Sequence, residues 1–169
     1  MKSGAFLCPK CGGKLVVNSY YSRIVIESDG SSLKIPIMQT RCQKKRCGRT
    51  HAILPHFVMP YKRYATNAIE AAILNFEENG GLKHSDCPAE DKTIRGWKEQ
   101  FKNRGNAAVD QLQKILYEQY GRSVSMIKLI ASSLIERLKT LIEPFEPVSG
   151  DSLIGAVNII LSRYSSGYI

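Results

Sequence analysis

Along the chain the spacing of hydrophobic positions changes from a strand rhythm to a helix rhythm near Tyr64. Before it, Leu15–Tyr21, Arg23–Ser28 and Leu33–Thr40 are rich in Val, Ile and Tyr, residues that suit a half-buried pleated surface. Ser28-Asp29-Gly30-Ser31-Ser32 between the last two is a turn signal, so the pattern predicts a hairpin. Leu54–Lys62, with Pro55 and Pro60, reads as an extended, packed linker. Beyond it Ala68, Ile69, Ala72, Ile73 and Phe76 share one helix face, which Gly80-Gly81 closes. A short segment, Leu82–Asp86, and Cys87-Pro88-Ala89 lead to a second helix, about Glu90–Lys102. There Glu90 or Asp91 favours the N-terminus, Ile94, Trp97 and Phe101 form the buried face, and Arg104-Gly105-Asn106 is the stop. Val109, Leu112, Ile115 and Leu116 mark a further helix closed by Tyr120-Gly121. Ile127, Ile130, Leu134, Leu138 and Leu141 mark a longer one closed by Pro144 and Pro147. Ser149-Gly150-Asp151-Ser152 then signals a turn and cap before a last helix, Leu153–Arg163.

Cysteine usage adds chemistry to the hairpin. Four of the five cysteines form two close pairs, Cys8/Cys11 and Cys42/Cys47, and Cys87 stands apart. Thiolates hold zinc tetrahedrally, and a two-residue spacer lets both sulfurs of a knuckle reach one ion. Cys8-Pro9-Lys10-Cys11-Gly12-Gly13 has that form; the looser Cys42–Cys47 spacing lies within the range of structural sites. The expectation is one structural Zn2+ on Cys8, Cys11, Cys42 and Cys47 at the base of a β ribbon. Four thiolates leave no open position for metal chemistry. His51 is an alternative fourth ligand, and a redox CxxC lacks the βαβ context it needs. Cys87 reads as a small apolar residue at the core, and His56 and His84 as ordinary surface or loop residues.

The net charge of +9 is unevenly placed: residues 1–105 hold 18 Lys and Arg against 9 Asp and Glu, while residues 106–169 hold 6 of each. A polyanion is the simplest partner for the basic part; a solvated basic surface is the bland reading. Lys44, Lys45 and Arg46 form a basic tip between two ligands, with Arg49 beside it. The run from Asp86 to Lys98 has the form of a turn entering a recognition helix. Ile94, Trp97 and Phe101 would lock that helix, and Lys92, Thr93, Arg95, Gly96 and Lys98 would face outward. Candidate DNA contacts are therefore Lys44, Lys45, Arg46 and Arg49 on the ribbon, Lys62 and Arg63 on the linker, and Lys92, Thr93, Arg95 and Lys98 on the helix. Trp97 reads as a core anchor rather than a base-stacking platform. Tyr20, Tyr21 and Tyr61 could stack on bases, but packing across the hairpin explains them as well.

Taken together, CPKCGG, RCQKKRCGRTHAILPHFVMPYKRY and DKTIRGW resemble an uncharacterised bacterial zinc-ribbon domain family associated with mobile elements. The arrangement is similar to the N-terminal zinc ribbon and helix-turn-helix of some insertion-sequence transposases, over roughly residues 6–103. The resemblance implies zinc on the four paired cysteines and DNA contact by the helix holding Lys92, Arg95 and Lys98. Those transposases continue into a catalytic domain with metal-binding carboxylates. Here a neutral helical segment follows, and Asp110, Glu118, Glu136, Glu143, Glu146 and Asp151 form no paired-carboxylate arrangement.

These readings together predict an α+β protein: a zinc ribbon (1–56), a helix-turn-helix region (57–105) and a helical C-terminal region (106–169). The expected function is non-enzymatic binding of double-stranded DNA, in transcriptional control or as a recombination accessory of a mobile element. Residues 106–169 would complete the core or serve a homodimer, recombinase or polymerase contact. A protein-interaction adaptor, docking on a recombinase, polymerase or phage partner through the ribbon and the helical tail, is the alternative, and RNA binding a third. No apolar run approaches the roughly 18 residues of a membrane span, and MKSGAFLCPK lacks a secretory apolar core. The expected place is a bacterial cytoplasm, beside the nucleoid, with no membrane and no small-molecule substrate.

Overall fold

A computed structural model describes residues 6–78, 87–124, 132–145 and 152–164. An antiparallel hairpin, β1 (Leu15–Ile26) and β2 (Ser32–Cys42), is extended by β3 (Thr50–Ile53) into a three-stranded sheet of order β1-β2-β3. The register runs from Leu15 opposite Cys42 to Ile26 opposite Ser32, with a bulge between Val17 and Ser19. Two expected strands are thus one continuous β1. The turn lies where the sequence places it, and Asp29 accepts a hydrogen bond from the Ser31 amide (2.8 Å). β3, which the sequence pattern did not suggest, pairs Thr50–Ile53 with Met38–Arg41.

Helices α1 (Thr66–Glu78), α2 (Asp91–Tyr120), α3 (Leu134–Ile142) and α4 (Leu153–Tyr164) follow. The expected apolar faces are the buried ones: Ala68, Ile69, Ala72 and Ile73 on α1, and Ile94, Trp97 and Phe101 on α2. All of these but Ala68 form one helical core with Leu112, Leu138, Leu141, Val157 and Leu161. Cys87 packs partly buried against it, as expected of an apolar cysteine. The expected stop at Arg104-Gly105-Asn106 does not occur, because α2 continues for 30 residues to Tyr120. Gly105 is buried there, and a Cβ at this position would lie 2.8 Å from Leu134 Cδ2. It serves helix packing rather than termination. The true end is Gly121, left-handed at φ 61°, as the Tyr120-Gly121 signal predicts. α3 starts at Leu134 because Ser133 and Glu136 form a reciprocal capping box. α4 begins behind Ser152, whose Oγ accepts from the Gly155 amide (3.0 Å).

Gly80-Gly81, Leu82–Asp86, His84, Ile127, Ile130, Pro147 and Ser149–Asp151 lie outside the described residues. Of the turn expected to enter the recognition helix only Asp86 falls among them; Cys87–Glu90 are described and lead into α2 at Asp91, and the described residues do not show a helix-turn-helix. No helix among the described residues is long and apolar enough to cross a membrane.

The sheet meets the helices at the hairpin's turn. Asn67 of α1 donates to Glu27 (2.9 Å), Ala65 donates to the Ile26 carbonyl (2.9 Å), and a Cβ on Gly30 would touch Pro88. Tyr64 then packs edge-on against Trp97, with ring centres 4.9 Å apart. The cysteines lie at the opposite end of the hairpin, beside Leu15 and Cys42.

Candidate metal centre

Two turns bring the four thiols together, and they are built alike. In the first, the amides of Cys11 and Gly12 donate to the Cys8 carbonyl (3.3 and 2.8 Å), and Gly12 is left-handed at φ 65°. In the second, the amides of Cys47 and Gly48 donate to the Lys44 carbonyl (2.8 and 3.0 Å), and Gly48 has φ 54°. Lys44 therefore holds the turn position that Cys8 holds in the first knuckle. The ligand steps back two residues to Cys42, which explains the longer Cys42–Cys47 spacer. Lys44 Nζ donates to the Cys11 carbonyl (2.9 Å) and ties the knuckles together. Gly13 is required by proximity, since a Cβ there would meet Cys42 Sγ at 2.8 Å.

The sulfurs of Cys8, Cys11, Cys42 and Cys47 all lie within 4.8 Å of one another, so the four can hold a metal ion. Cys8 and Cys47 are 3.8 Å apart and Cys11 and Cys42 3.5 Å, far beyond the roughly 2.05 Å of a disulfide. Four bonds of about 2.3 Å in a tetrahedron place sulfurs about 3.8 Å apart, so the donor set and spacing fit such an ion. His51 Nε2 lies 3.3 Å from Cys8 Sγ, and His51 is not one of the four residues whose ligand atoms all lie within 4.8 Å of one another. Its ring therefore supports a thiolate. The sequence showed His51 near the site and gave no way to assign this contact.

The metal-free thiols differ in acidity. Burial opposes ionisation of Cys8, but the amides of Lys10 and Cys11 and the His51 side chain outweigh it and bring the thiol down to about 6. Burial pushes Cys42 up to about 12, and its thiol neighbours add to the rise. Cys8 therefore gives up its proton readily, and Cys42 holds its own until a cation displaces it.

The structure distributes the other candidate residues between the two ends of the hairpin. Lys45, Arg46 and Arg49 are exposed at the cysteine end, while Lys44 is committed to Cys11. Lys92 and Arg95 are exposed and Thr93 half-buried at the start of α2, near the hairpin turn. Lys98 is half-buried, with Nζ 4.1 Å above the Phe76 ring. Lys62 and Arg63 precede α1, and the Arg63 carbonyl accepts from the Ile26 amide (2.8 Å) at the turn end of β1. Both line a cleft on the sheet.

Neither curated proteins nor solved structures gave a match to the chain. A family match covers residues 8–97, just over half of the 169 residues, from the first thiol to Trp97 of α2. The chain belongs to the family described as a domain of unknown function (DUF6431).

Proposed function

We propose that the protein is a non-enzymatic, zinc-containing DNA-binding protein, acting as a transcriptional regulator or a recombination accessory factor of a mobile element. One structural zinc ion would sit on Cys8, Cys11, Cys42 and Cys47, because soft thiolates in tetrahedral array favour zinc. Zinc there supplies a fixed cross-link between the knuckles, and the chain's own residues do the binding.

Uncompensated surface charge carries the DNA reading. Among the described residues the ion pair is Lys114–Glu118, in the neutral part of the chain. Lys45, Arg46, Arg49, Lys92 and Arg95 are exposed, and none enters an ion pair with another described residue. Such charges repel one another until a polyanion neutralises them. The hairpin separates the two basic surfaces by about 35 Å, from strand rise. That is close to one turn of duplex DNA, so contacts at both ends would span about ten base pairs.

Fluorescence anisotropy of the zinc-loaded protein on duplex DNA from around its own gene, over a salt series, tests this reading. Preference for that duplex over unrelated sequence, with steep salt dependence, is expected. Arg95→Ala should weaken binding by about 1 to 3 kcal/mol and relax specificity if it reads a base. Lys45→Ala should lower the salt slope by about one. No binding at low salt would sink the DNA reading.

A second reading rests on Tyr120, Phe145 and Tyr164, whose rings meet at 5.6 and 6.0 Å beside partly exposed tyrosines. This aromatic patch on the neutral helical end favours a protein partner or second copy, and a complex that survives high salt would support it.

A further inference from the structure

A cleft of about 920 Å³ opens on the sheet between β1, β3 and residues 60–63. It is at the upper end of the roughly 300–1,000 Å³ typical of ligand clefts, so it suits an extended ligand. Its walls include Arg23, Lys62, Arg63, Tyr21 and Tyr61 and contain no acidic side chain. We infer that this cleft binds unpaired, single-stranded nucleic acid, with Tyr61 stacking on a base and Lys62 and Arg63 meeting the phosphates.

Tyr61 makes the strongest case. Its backbone is left-handed, at φ 61°, a conformation that costs any residue with a Cβ. Its side chain gains nothing from packing in return, since it is 101% exposed. The loop is held by a clamp from β1: the Arg23 guanidinium donates to the carbonyls of Met59 and Lys62, on either side of Tyr61. The clamp holds both faces of an aromatic ring in water, where an unpaired base can stack. Packing across the hairpin therefore does not account for Tyr61. Tyr21 and Ile24, 42% and 59% exposed, add flat and apolar surface to the same cleft.

The charges point the same way. Lys62 also lines a small apolar pocket with Trp97 and Phe101 of α2. Burial, and then the like charge of Arg104 on α2, hold its ammonium below the ordinary lysine range. Cations gathered without an acidic neighbour in the cleft suit a chain of phosphates. A duplex keeps its bases stacked on one another and offers Tyr61 nothing to stack on. An acidic peptide would satisfy the cations and leave the ring in water.

Tyr61 is not among the proposed duplex contacts, so its role in the cleft can be tested apart from duplex binding. The experiment measures anisotropy of the full-length, zinc-loaded protein on labelled oligo-dT and on a labelled duplex. Tyr61→Gly removes the ring and suits the left-handed backbone; Tyr61→Phe keeps the ring. Tyr61→Gly should weaken oligo-dT binding about tenfold, within the range for loss of one stacked base. Tyr61→Phe should bind as the parent does, Arg63→Ala should weaken oligo-dT binding and flatten its salt slope, and duplex affinity should not respond to either Tyr61 substitution. Oligo-dT binding with no duplex binding would sink the duplex proposal and sustain this one. The inference is overturned by absence of oligo-dT binding at low salt, or by equal oligo-dT affinity in Tyr61→Gly. It is overturned too by an equal loss on duplex, or by poly-glutamate competing as well as unlabelled oligo-dT.

Discussion

The sheet and the helices of this chain are held together by different physics. The helical part buries Ile73, Leu112, Leu138, Leu141, Val157 and Leu161 almost completely in one continuous core. The sheet has two small clusters instead. One is Cys8, Leu15 and Cys42 with the other paired cysteines; the other is Val25, Val58 and Ala65 beside Ile35, Leu54 and Phe57. Between them Val17, Tyr20, Tyr21 and Ile24 lie open to solvent. Hydrocarbon burial can stabilise the helices, but at the cysteine end the largest buried groups beside Leu15 are thiols. A few buried side chains cannot offset the chain entropy of three ordered strands. A metal cross-link can, because a site that exists only in the folded state converts binding energy into folding energy.

Metal removal is the strongest way to break that contrast. Structural zinc contributes on the order of 10 kcal/mol in small zinc-dependent modules. A chelator, or Cys42→Ser, should abolish amide-exchange protection across β1, β2 and β3 while α2 and α3 keep theirs. Hydrogen exchange read by mass spectrometry resolves the two. Simultaneous loss of protection in α2 would show one cooperative unit, with the contacts of Tyr64, Asn67 and Pro88 coupling the halves. Full protection of the sheet without metal would remove zinc from the account of the fold.

How much of this was legible in the sequence follows from the range of the interactions. The paired cysteines, the turn at Asp29-Gly30 and the Ile94, Trp97, Phe101 face are local patterns, and each lies where its spacing puts it. β3 was missed because Thr50–Ile53 is four residues long and is defined by pairing with β2. Lys44 looked like a free surface charge; its turn position and its bond to Cys11 exist only once the knuckles face each other. The same holds for His51 against Cys8. Gly105 misled because a glycine that stops a helix and one that admits a neighbour's side chain are the same letter.

That ambiguity gives a second, smaller test within the helical part. Gly96 and Gly105 both lie inside α2, but a Cβ on Gly96 meets nothing within 4 Å. Gly96→Ala should raise stability by about 0.5 to 1 kcal/mol, the ordinary helix-propensity gain. At Gly105 the same gain is opposed by Leu134, which must turn aside or push α3 away, at a cost of about 1 to 3 kcal/mol. Gly105→Ala should therefore be neutral to destabilising in thermal melts, and adding Leu134→Ala should recover the propensity gain. Equal stabilisation by both alanines would show that α2 and α3 do not pack at Gly105.

The smallest effect separates the halves by its sign. Metal binding needs deprotonated thiols, so the sheet should weaken as pH falls and protons compete for Cys8, Cys11, Cys42 and Cys47. The helical part carries the opposite dependence at Glu70 of α1, which accepts a hydrogen bond from the Ile154 amide (3.0 Å) at the start of α4. Burial raises the Glu70 pKa, against the lowering effect of the Ile154 and Leu153 amides. A carboxyl whose folded pKa lies above its unfolded value binds more protons folded than unfolded, so stability falls as pH rises through that window. The window opens near the ordinary glutamate value of about 4.3 and extends upward. Lowering pH from about 7 toward 5 should therefore expose the sheet to exchange while slightly strengthening α1 and α4. The gain stays below about 1 kcal/mol, because Glu70 is partly solvated. Glu70→Gln keeps an acceptor for Ile154 and loses the titration, so exchange in α4 should become flat across this range. If α4 weakens with acid alongside the sheet, burial of Glu70 does not govern that junction, and the two halves respond to pH as one.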